Sequence, residues 1–431
     1  MRRTTKLVVA ALLSVQFATS SSYAGRNECV AQFTGTLPLS KLAADFKSFM
    51  QATPYVDGGV APDSPIYNQG RAEICWSYTL KELVRQTLFK ITGGKVTAEI
   101  SPDHNGFWHF YFQIKQHPAY FAKLRERVAA GMSIADATAE AVALIRDRNN
   151  SKAQREAGFV IESGSDEPTA LNEAKLIGMV PQEIFNRPIT GDQQAADLVA
   201  ALNNLVSDVI HASPQQIGSV NKADGISDGL YSMLVSRVMP VLNENSSSKA
   251  NALRPNDTFV HTDGNTYTPL SFMTHFAQFD PTAYVDIRMT ANNQTMIYAA
   301  IQASLDAGLA IPVGWAVYQQ KALEASGVAD VDDLQQAPVA LNGGHATIIE
   351  NMKTIGGTII GFIFKNSWGL IGLTSNGVQS TVVSLLGYFG ITPGYLQYGL
   401  ADGNPPDFLF HSSIVNANSP FAPLLKQVQT H

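Results

Sequence analysis

Cys75, His345, Asn366 and Gln69 are the side chains of this 431-residue chain whose types and spacing suit one chemistry, acyl transfer through a thiol. A sulfur nucleophile needs a base close by, a group that orients the base, and donors aimed at the developing oxyanion. Cys75 has Trp76 directly after it and Gln69 six residues before it. His345 stands in Gly343-Gly344-His345-Ala346 at the start of an expected strand. Lys365-Asn366-Ser367-Trp368-Gly369 follows the next strand about twenty residues later. A hairpin joining those strands sets the Asn366 amide against the His345 ring. Gln69, on the loop before the nucleophile, is placed to aim a side-chain N–H at the carbonyl under attack, with the Cys75 N–H as second donor.

The element that must position the sulfur is a helix. From Cys75 onward apolar residues recur at Trp76, Leu80, Leu83, Val84, Thr87 and Leu88, while Lys81, Glu82, Arg85 and Gln86 take the opposite face. Gly93-Gly94 supplies the stop. The spacing predicts an amphipathic helix with Cys75 on its first turn, where unpaired N–H groups and the positive end of the macrodipole favour a thiolate. Upstream, Leu39 to Met50 is amphipathic through Leu42, Phe46 and Phe49, and reads equally as a short inhibitory pro-segment or a first packed helix. Downstream, Ser133 with Asp136 resembles a capping box, and Thr169 is expected to cap a helix ending at Gly178. From Arg187 to Met289 the pattern is mainly helical, interrupted by a hairpin turning at Asp263-Gly264. Asn293 to Leu305 reads as a further helix. After Leu309 the period changes to strands, so the fold class is α+β.

Composition narrows the rest. Hydrophobic content of 45% and charged content of 15% indicate a globular chain with a sizeable core. Met1 to Ala24 has a basic start, a short apolar run and a small-residue cleavage site, so the protein is expected to be exported, with no membrane anchor. Losing Arg2, Arg3 and Lys6 takes the formal charge from −6 to −9, which with no basic cluster argues against nucleic acid as a partner. Two cysteines allow a single Cys29–Cys75 bond; Cys29 reads instead as a thiol near a mobile new terminus. His104 and His109 are five apart, off a common helical face, so no metal or cofactor is expected. The aromatic run Phe107 to Phe112 reads as core, and Asn149, Asn245, Asn256 and Asn293 stand in glycosylation sequons.

Four motifs, Asn68-Gln69-Gly70, Cys75-Trp76, Gly344-His345-Ala346 and Asn366-Ser367-Trp368-Gly369, in this chain order, resemble those of a papain-like cysteine peptidase. The resemblance implies a papain-like two-lobed fold, a helical lobe plus an antiparallel β-barrel-like lobe, with a helical insertion. It implies Cys75 as nucleophile, His345 as base and then acid, Asn366 as orienter and Gln69 as oxyanion donor. Trp368 would shield the His–Asn bond from water, and Gly164 falls where the family's cleft-wall glycine pairs with substrate backbone. Local text is similar to the bleomycin-hydrolase and aminopeptidase branch, at Glu99-Ile100-Ser101 with Phe107 to Phe112, at Lys175 to Pro181 and at Gly308 to Gly314. Ala72, Glu73, Ile74 and Ser163 depart from the usual pattern. Glu73 is expected to favour basic substrates or to raise the Cys75 pKa.

The organisation expected is a signal peptide at 1–24, an N-terminal extension or pro-segment at 25–54, and a helical lobe with the nucleophile helix at 55–186. A mainly helical insertion follows at 187–289, whose partner, if any, is unknown, then a β-rich lobe with His345 and Asn366 at 290–400, and a C-terminal tail at 401–431. The function expected is an exported cysteine peptidase, an endopeptidase acting on peptide or protein substrates. Alternatives are an aminopeptidase of bleomycin-hydrolase type, a catalytically silent papain-fold binding module, and a thiol-dependent transferase.

Overall fold

The computed structural model describes residues 39–52, 67, 69, 73–116, 118–134, 136–137, 164–244, 246, 251–318, 327–334, 343–367 and 387–428. The proposed signal peptide, Cys29, Trp368 and the sequons at Asn149 and Asn245 lie outside the described residues.

Helix α1 spans Leu39–Ala52, and the nucleophile helix α2 spans Cys75–Ile91. Helices α3 (Pro102–Gln116), α4 (Pro118–Ala129) and α5 (Glu167–Ile177) follow, then the long α6 (Asp192–His211) and α7 (Asp228–Leu242). Strands β1 (Phe259–Val260) and β2 (Thr266–Tyr267) form the expected small hairpin, with Gly264 at φ +83° in its turn. The remaining strands are β3 (Tyr284–Arg288), β4 (Ile311–Val317), β5 (Val328–Ala329), β6 (Gly343–Ile355), β7 (Thr358–Lys365), β8 (Tyr388–Ile391) and β9 (Asp407–His411). Helix α8 (Gln294–Asp306) precedes β4, and α9 (Pro393–Ala401) follows β8.

These seven strands form one sheet in the order β3-β9-β4-β6-β7-β8-β5. It is antiparallel except for the β5–β8 pair. Among the described residues the sheet does not close, so the expected barrel-like lobe is instead an open sheet. The chain after residue 400, expected as a tail, returns to it: β9 lies between β3 and β4, with Phe408 and Phe410 fully buried. Two main cores result. One joins α2, α3, α5, α6 and α7, with the aromatic run of α3 inside it. The other lies on the sheet face carrying Trp315, Phe362, Phe364 and Phe389, beneath α8 and α9.

Helix α2 is buried on both sides. Its apolar stripe faces the helical core, but Lys81, Glu82, Arg85 and Gln86, read from spacing as the polar face, are each no more than 2% exposed. Gln86 donates to Glu350 of β6, Lys81 pairs with Glu99 at 2.9 Å, and Arg85 pairs with Glu82 at 3.2 Å. Buried charge is tolerated because each group meets a counter-charge. The helix is therefore the shared wall between the helical half and the sheet, which is what carries Cys75 to the strand bearing His345.

Helix α1 packs on the sheet at β7 and β8. Phe46 is fully buried there with Met50, Val328, Ile360, Ile363 and Tyr388. A Cβ at Gly361 would lie 2.2 Å from its ring and one at Gly390 2.5 Å, so only glycine lets the helix approach this closely. The cap of α5 is Asp166, which accepts from the Thr169 N–H at 2.8 Å, rather than Thr169 itself. The box at Ser133 is present, with the Asp136 N–H donating to Ser133 Oγ at 3.1 Å. Asn293 is fully buried and donates to the Arg288 carbonyl at 2.9 Å, so it offers no amide for a glycan.

Candidate active site

Cys75 is the first residue of α2. Ile74 before it provides no side-chain cap; the Ser77 N–H donates to the Ile74 carbonyl at 3.0 Å, and the Cys75 and Trp76 N–H groups act on the sulfur. Cys75 is a half-buried free thiol, and its Sγ accepts the Ala346 N–H at 3.4 Å. That bond brings the sulfur to within one residue of His345 on β6, so the helix start and the sheet meet at the expected place.

His345 is 5% exposed, and its Nε2 lies 2.9 Å from Asn366 Oδ1, just past the end of β7. The Ser367 N–H donates to the same Oδ1 at 2.8 Å, which fixes that end of the amide as the acceptor. Nε2 of His345 therefore carries a proton, and Nδ1 is the basic nitrogen of the neutral ring. Gln69 is held by two bonds from the same residue: its N–H donates to the Ser367 carbonyl at 2.8 Å, and its Oε1 accepts from Ser367 Oγ at 2.6 Å. With Oε1 so engaged, Nε2 is the donor end. Ser367 thus links the residue expected to orient the base with the residue expected to hold the oxyanion. Spacing assigned it no role, because a hydroxyl inside a motif carries no signal of its own.

The aromatic ring beside the imidazole is Trp315, whose centroid is 5.8 Å from that of His345 at 71°. Its indole N–H donates to Thr347 at 3.0 Å. Gly164 is on the helical side of the cleft: its carbonyl lies 3.3 Å from His109 Nε2, and a Cβ on it would stand 3.8 Å from Glu73 Oε2. His109 is held in turn by Glu173 at 2.8 Å and stacks near Trp76, centroids 4.9 Å apart. His104 is bonded to the Leu253 carbonyl at 2.9 Å.

Electrostatics set burial against the favoured thiolate. Burial pushes the Cys75 thiol up to about 11, outweighing the Ala346 N–H and the helix-start N–H groups that pull it down. Burial also pushes His345 down to about 4, against the bond to Asn366. Taken singly, burial therefore disfavours the charged form of each, opposing the thiolate that the helix start favours. The acid that acts on the thiol is also not the one expected. Glu73 is exposed, while the carboxylate raising Cys75 is Glu167, the first residue of α5. Burial, with Asp166, Asp286 and Asp407 nearby, pushes Glu167 itself up to about 8. Burial likewise pushes Asp286 up to about 7.

No family model matches the sequence, and no curated protein matches it by sequence. Among solved structures, PepW from Lactobacillus rhamnosis HN001 is similar with a TM-score of 0.53 at 13% identity, over 99% of this chain and 92% of that one. Xylellain, a cysteine protease from Xylella fastidiosa, is similar with a TM-score of 0.37 at 15% identity, over 84% and 87%, a likeness too slight to carry weight. The fold is papain-like: a nucleophile-bearing helix set against an antiparallel sheet.

Proposed function

We propose that the chain is a cysteine peptidase that hydrolyses peptide bonds through Cys75, His345, Asn366 and Gln69. The observation that carries this reading is the unbroken chain of bonds from His345 through Asn366 and Ser367 to Gln69, with the Cys75 sulfur on the N–H next to His345. A base, its orienter and an oxyanion donor are then fixed relative to one another before substrate arrives.

Sγ attacks the peptide carbonyl carbon while its proton passes to His345 Nδ1. The oxyanion takes hydrogen bonds from Gln69 Nε2 and the Cys75 N–H. As the C–N bond breaks, Nδ1 returns the proton to the leaving amine, and a thioester remains. Water, deprotonated by Nδ1, attacks the thioester; the C–S bond breaks and the proton returns to sulfur. The Asn366 carbonyl holds the ring so that Nδ1 faces this work, the role an orienting residue has in Cys-His sites. Trp368 is proposed to shield the His345–Asn366 bond and Gly164 to pair with substrate backbone. The basic, apolar and small-residue order of Met1 to Ala24 supports export of the enzyme.

Labelling by an epoxide or vinyl-sulfone thiol reagent, lost in Cys75→Ala, together with cleavage of N-blocked peptides, is the expected result and marks an endopeptidase. Cleavage confined to peptides with a free amine makes it an aminopeptidase. A folded protein that cleaves neither class overturns the reading.

A further inference from the structure

The mechanism above makes no use of Glu167, although its charge reaches the Cys75 thiol. Its side chain is buried, 5% exposed, and its Oε1 has no hydrogen-bond partner. Leaving a buried carboxyl oxygen unpartnered is costly, and among the described residues only the backbone N–H of Glu167 itself eases the carboxyl's burial. The other oxygen, Oε2, stands 3.3 Å from where a Cβ on Gly314 would be, so glycine at that place leaves the carboxyl room. Gly314 on β4 pairs with Ala346 on β6, the residue whose N–H holds the sulfur. The carboxyl is thus one strand away from the nucleophile.

The surroundings carry the same sign. Asp286 Oδ1 is also buried without a partner, and Asp166 and Asp407 add to the field on Glu167. The Arg288 guanidinium, which acts on Asp286, is spent on Asp407, at 2.8 and 3.2 Å, with its side chain 65% exposed. Glu167, which acts on Cys75, therefore shares its surroundings with Asp166, Asp286 and Asp407, and Arg288 beside them is already engaged by Asp407. Among the described residues no three His, Cys, Asp or Glu side chains are arranged to hold a metal ion.

We propose that Glu167 is a specificity-determining residue that receives a cationic group of the substrate beside Cys75, either a Lys or Arg side chain or a free N-terminal amine. The substrate being a peptide rests on the reading above; the cation site does not. An ammonium or guanidinium brought over Gly314 supplies Oε1 with the donor it lacks, and a charge-assisted bond in a dry site orients whatever is attached to it.

The test uses the full chain with Cys29→Ser, which leaves Cys75 as its only thiol. Rates of Cys75 modification by 2-aminoethyl methanethiosulfonate, a cation, and by neutral methyl methanethiosulfonate are read by mass spectrometry. The cation-to-neutral ratio is expected to fall about tenfold in Glu167→Gln, as befits a unit charge close to the reacting centre in a partly screened site. Equal ratios in the two proteins overturn the proposal. Asp286→Asn and Gly314→Ala, whose methyl crowds Oε2, are expected to lower the ratio as well, and they carry the comparison should Glu167→Gln fail to fold. Peptides separate the two cations: loss of preference among N-blocked Lys and Arg substrates assigns the side chain, and loss confined to free-amine substrates assigns the terminus. A protein that keeps the reagent preference yet cleaves no peptide refutes the peptidase reading alone. One that cleaves peptides with the same charge preference before and after Glu167→Gln refutes the cation site alone.

Discussion

Replacing Glu167 by Gln keeps the shape of a buried side chain and removes its ionisation, so its effect on stability is set by pH. The carboxyl moves from an ordinary 4.5 to about 8 on folding. A folded-state value above the unfolded one means the native protein holds the proton more tightly. The resulting stabilisation is therefore fully present below pH 4.5 and is lost as pH rises through 8. At pH 7 the unfolded chain has released the proton over about 2.5 units of pH that the folded chain resists, which at about 1.4 kcal/mol per unit is about 3 kcal/mol. That amount of the stabilisation is gone at pH 7, whereas at pH 4 almost none of it has been lost. Urea unfolding of the two proteins, followed by tryptophan fluorescence in phosphate so that no amine competes for the site, should show Glu167→Gln gaining about 3 kcal/mol on the parent between pH 4 and pH 7. A difference that stays flat to within about 1 kcal/mol across that interval means Glu167 is solvated in the native state, and the electrostatic account of the cleft fails with it.

Gln69→Ala should lower kcat by ~10²–10³ with the unfolding midpoint unmoved, since it removes an oxyanion donor and little packing; a change in KM alone refutes that role. Phe46→Ala should cost about 3–5 kcal/mol in urea unfolding, because the ring fills the space left by Gly361 and Gly390 and no neighbour can collapse into it. The acid limb of kcat/KM should lie near 4, where the His345 imidazole becomes protonated. Asn366→Asp should raise that limb, since a carboxylate stabilises the imidazolium; an unmoved limb shows that some other group sets it.

What the residues disclosed, and what they hid, follows from range. Cys75, His345, Asn366 and Gln69 were legible because thiol chemistry asks for those types, and a helix start and a hairpin are local signals. The hairpin at Asp263-Gly264 and the helix before β4 are local too, and both are present within a residue or so. The burial of Lys81, Glu82, Arg85 and Gln86 was not legible. Periodicity identifies an apolar stripe but says nothing of what covers the other side, and the partner of Gln86 is Glu350, 264 residues away. Glu167 was hidden for the same reason in a different form. An acid in the first turn of a helix reads as a dipole complement, and only the packing against Gly314 shows it buried with Oε1 unpartnered. The sheet's failure to close depends on the pairing of β5 and β3 at its edges, which strand patterns do not encode.

The state of the sulfur shows how two local rules compete. A helix N-terminus favours an anion by a few tenths to about 2 kcal/mol, whereas taking an anion out of water costs several. At Cys75 the donors are present, the Ala346 N–H among them, yet desolvation is the larger effect and pushes the thiol up. His345 is displaced in the opposite sense by the same burial, so its neutral ring is a competent acceptor at any pH above about 4. On the proposed mechanism charge separation belongs to the attack itself, as the developing oxyanion engages Gln69 and the Cys75 N–H. A cation seated on Glu167 would ionise that carboxyl while closing its charge in a pair, so the thiol meets little added negative field when a substrate is in place.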